Sequence, residues 1–264
     1  LLLANHPDDC LTCHKNGDCR LQEYAYYYGI KADAFPGEKH QYPIEDDNPF
    51  MVRDMNKCIL CGKCVRVCQE IQGNNVIDFA YRGFSAVVTP AMNTTLSDTD
   101  ISNCVFCGNC IAVCPVGALS EKAMIGKGRK WEVQKVTTTC PYCGVGCQFD
   151  LNVKDGRVIG VTSADGDVNG RFLCVKGRFG YGFIHHPDRL TTPLIKKDGK
   201  FVEATWDEAI ALVAEKLGAV KEQYGGEAIG ILSSARCTNE ENYLMNKLAR
   251  AVLGTNSIDH CARL

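Results

Sequence analysis

Four groups of cysteines dominate the chemistry open to this chain. They are His6-x3-Cys10-x2-Cys13-x5-Cys19, Cys58-x2-Cys61-x2-Cys64-x3-Cys68, Cys104-x2-Cys107-x2-Cys110-x3-Cys114, and Cys140-x2-Cys143-x3-Cys147 followed after 26 residues by Cys174. Fourteen of the 17 cysteines lie in runs with only two to five residues between neighbours. Thiols that close in a short loop suit a shared metal centre better than bridges to distant chain. An odd total cannot close entirely as internal disulfides. The second and third groups are an internal repeat, residues 57–68 aligning without gaps on 103–114. Three thiolates from one tight loop cap three corners of a cubane, and the fourth, on the following helical turn, points at the other cluster. One [4Fe–4S] is therefore expected on Cys58, Cys61, Cys64 and Cys114, and another on Cys104, Cys107, Cys110 and Cys68. Gly62 and Gly108 stand where each loop must fold closely around its cluster. Zinc would instead favour separated C-x2-C pairs.

The repeat has the spacing of bacterial ferredoxins, including Pro115 after the last cysteine. The first group has no fourth cysteine. His6 can fill the place, because imidazole replaces thiolate on iron in Rieske centres, or it can be a surface histidine beside a cluster with three protein ligands or none. In the last group Cys174 completes four thiolates for a cubane, and a structural zinc on the same four residues stands as the rival. Lys176, in Lys176-Gly177-Arg178-Phe179-Gly180, is either a solvated charge or a carrier of charge between cofactors.

Several elements must position these residues. Leu21 to Ile30, with Tyr24, Tyr26, Tyr27 and Tyr28, reads as a helix covering the first cluster, its tyrosines packing. Val76 to Ala80 and Phe84 to Thr89 flank Tyr81-Arg82-Gly83 as a hairpin between the two halves of the repeat. Phe149 to Val153 and Val158 to Thr162 read as a second hairpin, turning at Asp155-Gly156. From about residue 190 cysteine becomes sparse and α/β patterning begins. Thr205-Trp-Asp-Glu208 is a capping box for a helix with Ile210, Val213, Ala214 and Leu217 on one face. Ala228 to Leu232 reads as a short buried strand. Thr238-x-x-Glu241 caps another helix carrying Leu244, Leu248, Ala251 and Val252, and Ser257 to Leu264 could begin a further strand. Strand, polar loop and helix N-terminus in that order suit a phosphate or nucleotide-like group. The fold class expected is α+β and multidomain. A one-His/three-Cys segment (1–40) leads to a two-cluster ferredoxin-like domain (41–130). A β-rich cluster domain (131–190) and the start of an α/β domain (191–264) follow.

The 264 residues, 45% hydrophobic and 23% charged, exclude a disordered or low-complexity chain. A formal net charge of -2 without a basic run gives no reason to expect nucleic acid. No segment approaches 18 apolar residues, so no transmembrane segment is expected, and the expected compartment is cytoplasmic.

Taken together the groups resemble a known family. The first three resemble the N-terminal region shared by the large subunit of respiratory NADH dehydrogenase, [FeFe]-hydrogenases and NAD(P)-linked formate dehydrogenases. Cys140 to Cys174 resembles the cluster domain that opens the molybdopterin oxidoreductases, and the α/β region resembles their first pterin-binding part. Ser233-Ser-Ala-Arg-Cys-Thr-Asn-Glu-Glu-Asn-Tyr243, with Arg250 to Asn256 and Asp259 to Leu264, is similar to formate dehydrogenase alpha subunits just ahead of their active site. That resemblance implies His6 ligation of the first cluster beside Cys10, Cys13 and Cys19. It implies Lys176 as an electron relay between the proximal cubane and a pterin. It also implies that Ser233, Arg236, Thr238, Asn239 and Glu240 face a molybdenum or tungsten bis(molybdopterin guanine dinucleotide). Cys237 and Cys261 are expected as small buried residues rather than ligands.

The implied activity is formate oxidation to CO2 or its reverse, with electrons leaving through four [4Fe–4S] clusters. The implied partner is a flavin/iron–sulfur subunit using NAD(P), ferredoxin or a hydrogenase. In the family, the residue after the segment matching Asp259 to Leu264 is the selenocysteine or cysteine that binds the metal. The expectation is thus a longer selenoprotein, interrupted one residue before its catalytic ligand. A respiratory-type NADH dehydrogenase subunit and an electron-transfer subunit of a hydrogenase complex are the rivals.

Overall fold

The computed structural model describes residues 2–31, 34, 36–98 and 100–260. The chain is mixed helix and sheet and divides into two units, Leu1–Cys140 with Cys147–His185, and Pro141–Gly146 with His186–Leu264.

In the first unit, α1 (Leu2–Asn5) and α2 (Arg20–Tyr27) bracket the first cysteine group. The duplicated module follows as β1 (Met51–Arg53), α3 (Lys63–Arg66), β2 (Ile77–Ala80), β3 (Val87–Pro90), α4 (Asn109–Val113) and β4 (Leu119–Glu121). β1 pairs antiparallel with β4, Met51 opposite Glu121, which ties the two ends of the module together. β2 and β3 form the hairpin between the halves. Its second strand starts at Val87 rather than Phe84, because Gly83–Ser85 is a 3₁₀ turn that leaves Phe84 exposed. Met51, Met55, Val65, Val76, Ile77, Val87, Val88 and Leu96 form the core against which Cys58, Cys64, Cys68, Cys104 and Cys110 pack. β5 (Gln134–Thr139), β6 (Gln148–Lys154) and β7 (Arg157–Ser163) form an antiparallel sheet, followed by α5 (Val175–Phe179). The β6–β7 turn is Asp155-Gly156 at φ +50 and +72, the two left-handed residues a tight hairpin requires.

The expected packing of the tyrosines on α2 is not found. Leu21 and Gln22 are its buried residues, while Tyr24, Tyr26, Tyr27 and Tyr28 are all exposed. On a two-turn helix, near-consecutive positions spread around the axis and cannot share one buried stripe.

In the second unit, β8 (Leu194–Lys197) and β9 (Lys200–Glu203) form a hairpin that the sequence reading passed over. Its Asp198-Gly199 turn carries the same signal as Asp155-Gly156. α6 (Trp206–Tyr224) begins at the expected capping box, Thr205 N–H donating to Glu208 Oε2 at 2.8 Å and Glu208 N–H to Thr205 Oγ1 at 3.3 Å. Its apolar positions Ile210 and Val213 are exposed. β10 (Ile231–Ser233), α7 (Asn239–Lys247) and β11 (Ile258–His260) form a parallel β–α–β unit.

Two expectations there are corrected. The strand lies at Ile231–Ser233, not Ala228 to Leu232, because Gly226–Ala228 forms a 3₁₀ turn; Ile229 is buried while Leu232 is exposed. After α7 the chain continues as a wider π-type turn, Leu248–Leu253, whose extra residue rotates the helical face. Ala249 and Leu253 are therefore the buried pair, and Leu244, Ala251 and Val252 face outward. Of the strand expected from Ser257 to Leu264, Ile258–His260 is present; Cys261 to Leu264 lie outside the described residues. Among the described residues no helix is long and apolar enough to cross a membrane.

Candidate metal centres

The two repeated loops fold alike, residue for residue. Gly62 and Gly108 take left-handed conformations at φ +73 and +69, and Leu60 and Phe106 do the same at +53 and +52. A left-handed backbone costs a non-glycine residue about 1–2 kcal/mol. Here the turn aims an amide at sulfur: Leu60 N–H donates to Cys58 Sγ and Phe106 N–H to Cys104 Sγ, each at 3.4 Å. Val76 N–H reaches Cys68 Sγ at the same distance. Such bonds stabilise the thiolate form and tune any cluster it holds.

A cavity is lined by Cys58, Cys61, Cys64 and Cys114, with Cys110 and apolar groups such as Met55, Ile59, Val88 and Val116. The first four are the set that the spacing assigns to one cubane. Cys64 feels Cys58, Cys114 and Cys61, whereas Cys104 feels Cys107 and Cys68. Cys110 feels Cys107, Cys104 and Cys68, and also Cys64 across the module. Burial pushes the Cys58 thiol up to about 11 and Cys64 up to about 12, and their thiol neighbours add to it. Bare thiols here stay protonated at neutral pH, so metal uptake must displace protons. Among the described residues no group of three or more His, Cys, Asp or Glu could hold a single metal ion. Convergent thiols around a cavity fit a polynuclear cluster in their donor chemistry.

In the first group, burial and the like charges of Cys19 and Cys13 raise the Cys10 thiol. His6 is buried, and its Nδ1 lies 2.9 Å from the Pro7 carbonyl oxygen. A carbonyl only accepts, so Nδ1 is the donor of that bond. Nε2 is itself buried and without a hydrogen-bond partner. A buried imidazole nitrogen without a partner, on a ring held in orientation through its other nitrogen, is the arrangement of a ligating histidine. Arg129 fixes the surrounding loop, its guanidinium donating to the carbonyls of Cys13 and Leu11. Lys57 pairs with Asp9 at 2.8 Å and Asp54 at 3.1 Å, joining this segment to the repeat. Leu21, Val116 and Ala118 form a small apolar cluster on which Cys19, Cys58 and Cys114 all pack.

In the fourth group, Cys140 N–H donates to the Cys147 carbonyl at 2.8 Å, and both cysteines pack on Phe149, Val161 and Leu173. Cys174 is the residue from which α5 starts. Cys143 lies on Pro141–Gly146, which belongs to the second unit. Lys176 is exposed on α5, while Arg178, two residues on, is buried. Arg53 is buried as well, its guanidinium bonded to Glu45 at 2.7 Å and to the Val88 carbonyl at 2.9 Å. The sequence reading missed both arginines as site residues, since an isolated basic residue reads as solvated.

In the second unit, Ser233 ends β10, the loop 234–237 follows, and Asn239 and Glu240 open α7. Thr238 caps the helix, its hydroxyl accepting from Glu241 N–H at 3.2 Å. Asn242, which the sequence reading did not single out, holds the loop by bonding the Ser233 hydroxyl and the Ser234 carbonyl. Arg236 is exposed, and its guanidinium lies 5.9 Å from the Tyr142 ring centroid. An exposed guanidinium beside first-turn amides is a donor set that fits a phosphate-bearing ligand. Cys237 is half-buried rather than buried.

Comparison with known proteins divides the chain in four. Residues 1–33 match the NADH-ubiquinone oxidoreductase-G iron–sulfur binding region, and 48–120 the ferredoxin-like domain of NADH-quinone oxidoreductase subunit 3. Residues 133–186 match the molybdopterin oxidoreductase Fe4S4 domain, and 189–264 the molybdopterin oxidoreductase family. One relative, named "Putative formate dehydrogenase YrhE", is from Bacillus subtilis (strain 168) and is 37% identical over 99% of this chain and 31% of its own length. The "NADPH-Fe(3+) oxidoreductase subunit alpha" of Geobacter sulfurreducens is 39% identical over 100% of this chain and 30% of its own. A solved NAD+-reducing [NiFe]-hydrogenase aligns over 48% of this chain and 53% of its own, at 32% identity and a TM-score of 0.42. The chain thus spans about 30% of the length of these two curated relatives. It belongs to the molybdopterin oxidoreductases, with NADH-dehydrogenase-type iron–sulfur regions ahead of the family's Fe4S4 domain.

Proposed function

We propose that the chain is the electron-carrying, pterin-proximal part of a formate dehydrogenase catalytic subunit, oxidising formate to CO2 or running the reverse. The observation that carries this reading is the succession of regions: iron–sulfur segments of NADH-dehydrogenase type run directly into a molybdopterin Fe4S4 domain and a molybdopterin region. The formate assignment leans on the relative with that name, 37% identical. In this reading His6, Cys10, Cys13 and Cys19 hold one cubane. Cys58, Cys61, Cys64 and Cys114 hold the second, Cys104, Cys107, Cys110 and Cys68 the third, and Cys140, Cys143, Cys147 and Cys174 the fourth. Bound cubanes supply one-electron storage, and a molybdenum or tungsten bis-pterin supplies the two-electron chemistry of the substrate.

The protein's own work is electrostatic and positional. Amide-to-sulfur bonds at Cys58, Cys68 and Cys104 stabilise negative charge at the ligands. The apolar cluster on which Cys19, Cys58 and Cys114 all pack ties the first and second ligand sets together. Lys176 is the candidate relay toward the pterin, and Ser233, Arg236, Thr238, Asn239 and Glu240 are its candidate contacts. Electrons would leave to a flavin-bearing, pyridine-nucleotide-linked partner.

A second reading, favoured by the 39% identical NADPH-Fe(3+) oxidoreductase relative, keeps the clusters and changes the substrate. Purified full-length protein decides between them. Formate dehydrogenase predicts about sixteen iron atoms per chain, four per cubane, stoichiometric Mo or W, and formate-dependent dye reduction. NADPH-dependent reduction without a formate response supports the second reading. Active protein lacking both metals overturns the first.

A further inference from the structure

Arg178 is the one residue of α5 that reaches two ligand sets at once. Its backbone N–H donates to the Cys174 carbonyl at 3.0 Å, and its side-chain Nε donates to the Cys107 carbonyl at 3.1 Å. Its Nη2 reaches Asn109 Oδ1 and Ser163 Oγ, each at 3.3 Å. Asn109 Oδ1 also accepts from Leu173 N–H at 3.2 Å, beside Cys174. Gly177, the preceding residue, has its Cβ position 3.6 Å from Cys140 Sγ. Arg178 therefore joins the third cysteine group to the segment of Cys174, its guanidinium bonding Cys107 and Asn109 while its backbone amide bonds the Cys174 carbonyl.

The charge of that group is not balanced by any ion pair among the described residues. Its bonds all end on neutral acceptors, two backbone carbonyls among them counted with its own amide, yet only 3% of the residue is exposed. Arg53, the other buried arginine, is paired with Glu45 at 2.7 Å. The carboxyl whose field acts on Arg178 is that of Glu121, whose Oε1 accepts from the Tyr181 hydroxyl at 2.6 Å. A buried cation without a counter-charge is strongly unfavourable, so the native state must bring negative charge to it. Cysteine thiolates around an iron–sulfur core are such a charge, and Cys107, Cys110 and Cys174 are the ones whose fields reach it.

We propose that Arg178 is a positioning residue for electron transfer, the shared counter-ion of the Cys104/Cys107/Cys110/Cys68 cluster and the Cys140/Cys143/Cys147/Cys174 cluster. It holds the two ligand loops in register and raises the potential of both centres together. A cubane gains negative charge when reduced, so a fixed cation nearby favours the reduced form. A cation acting on both centres leaves the driving force of the one-electron step between them unchanged while easing the electron's entry into the pair. Gly108 belongs to this device: a Cβ there would collide with Arg178 Cδ, so the loop's left-handed glycine also makes room for the guanidinium stem.

The inference rests on the cluster reading above, and the test separates the two. Full-length, iron-loaded wild type, Arg178→Gln and Arg178→Lys are titrated by EPR-monitored reduction, with iron counted in each. The two centres are identified by the signals altered in Cys107→Ser and Cys147→Ser. Gln keeps a hydrogen-bond donor and removes the charge. It is expected to leave iron content unchanged and to cut the reduced-to-oxidised ratio of both centres about tenfold at fixed ambient potential, 59 mV for a one-electron couple. The other two clusters should move far less, and Lys should keep both potentials near wild type. Unmoved potentials in iron-replete Arg178→Gln, or a Lys variant shifted as far as Gln, overturn the proposal. If Gln loses iron, the Lys variant decides: retained iron and potentials support the counter-ion role, and their loss overturns it. Wild type that shows no cubane signals at these two sites removes the cluster reading itself, and the proposal with it.

Discussion

Glu121, at the end of β4, offers a quantitative check on the electrostatics of the first unit. It is buried, and burial pushes its carboxyl up to about 7, against the opposing effects of the Tyr181 hydroxyl and the Arg178 guanidinium. The ordinary value is 4.5. A raised folded value means that the neutral carboxyl is the form the fold prefers. The resulting stability is fully present below about 4.5 and is lost as pH rises through about 7. At 1.36 kcal/mol per pK unit the difference is roughly 3 kcal/mol. Glu121→Gln stays neutral at every pH and still offers an oxygen to Tyr181, so it removes the window without emptying the site. The assay is unfolding of the iron-loaded protein in a pH series from about 4 to about 8, for wild type and variant side by side. Wild type should lose roughly 3 kcal/mol relative to the variant across that series. Infrared difference spectra should show a protonated carboxyl band that disappears over the same window and is absent in Glu121→Gln. Parallel stability curves for the two proteins would refute the reasoning.

Two further outcomes are expected. His6→Cys replaces a neutral ligand by an anionic one and should lower the potential of the first cluster; an unchanged EPR signal and potential would argue against ligation through Nε2. Gly62→Ala and Gly108→Ala both strain a left-handed position, at about 1–2 kcal/mol. A Cβ at Gly62 meets Phe79 Cζ at 3.4 Å, whereas one at Gly108 would stand 2.7 Å from Phe179 Cζ and closer still to Arg178. Gly108→Ala should therefore cost a further ~1–3 kcal/mol, seen as faster iron loss on heating, and equal losses in the two variants would contradict the packing argument.

The sequence by itself determined the local pieces. The repeat at 57–68 and 103–114, the two capping boxes at Thr205 and Thr238, and the Asp155-Gly156 turn all appear in the structure where the residues put them. Each depends on neighbours within a few positions, so spacing alone is enough to specify it. The spacing also proposes the crossed grouping of Cys114 with Cys58, Cys61 and Cys64, because two symmetric loops leave few ways to share eight thiols; in the structure these four line one cavity together with Cys110.

What only the tertiary structure decided concerns burial. The tyrosines of α2 turned out exposed, and the buried face after α7 shifted to Ala249 and Leu253 once the π-type turn intervened. His6 became a candidate ligand on structural grounds only when its Nε2 proved buried and unpartnered, with Nδ1 committed to Pro7. Arg178 gave no signal in Lys176-Gly177-Arg178, where either basic residue could have been the solvated one. The fold exposes Lys176 and buries Arg178, whose guanidinium bonds the carbonyl of Cys107, 71 residues earlier in the chain. A charge's surroundings are set by which distant segments pack on it, and that information is absent from any local pattern.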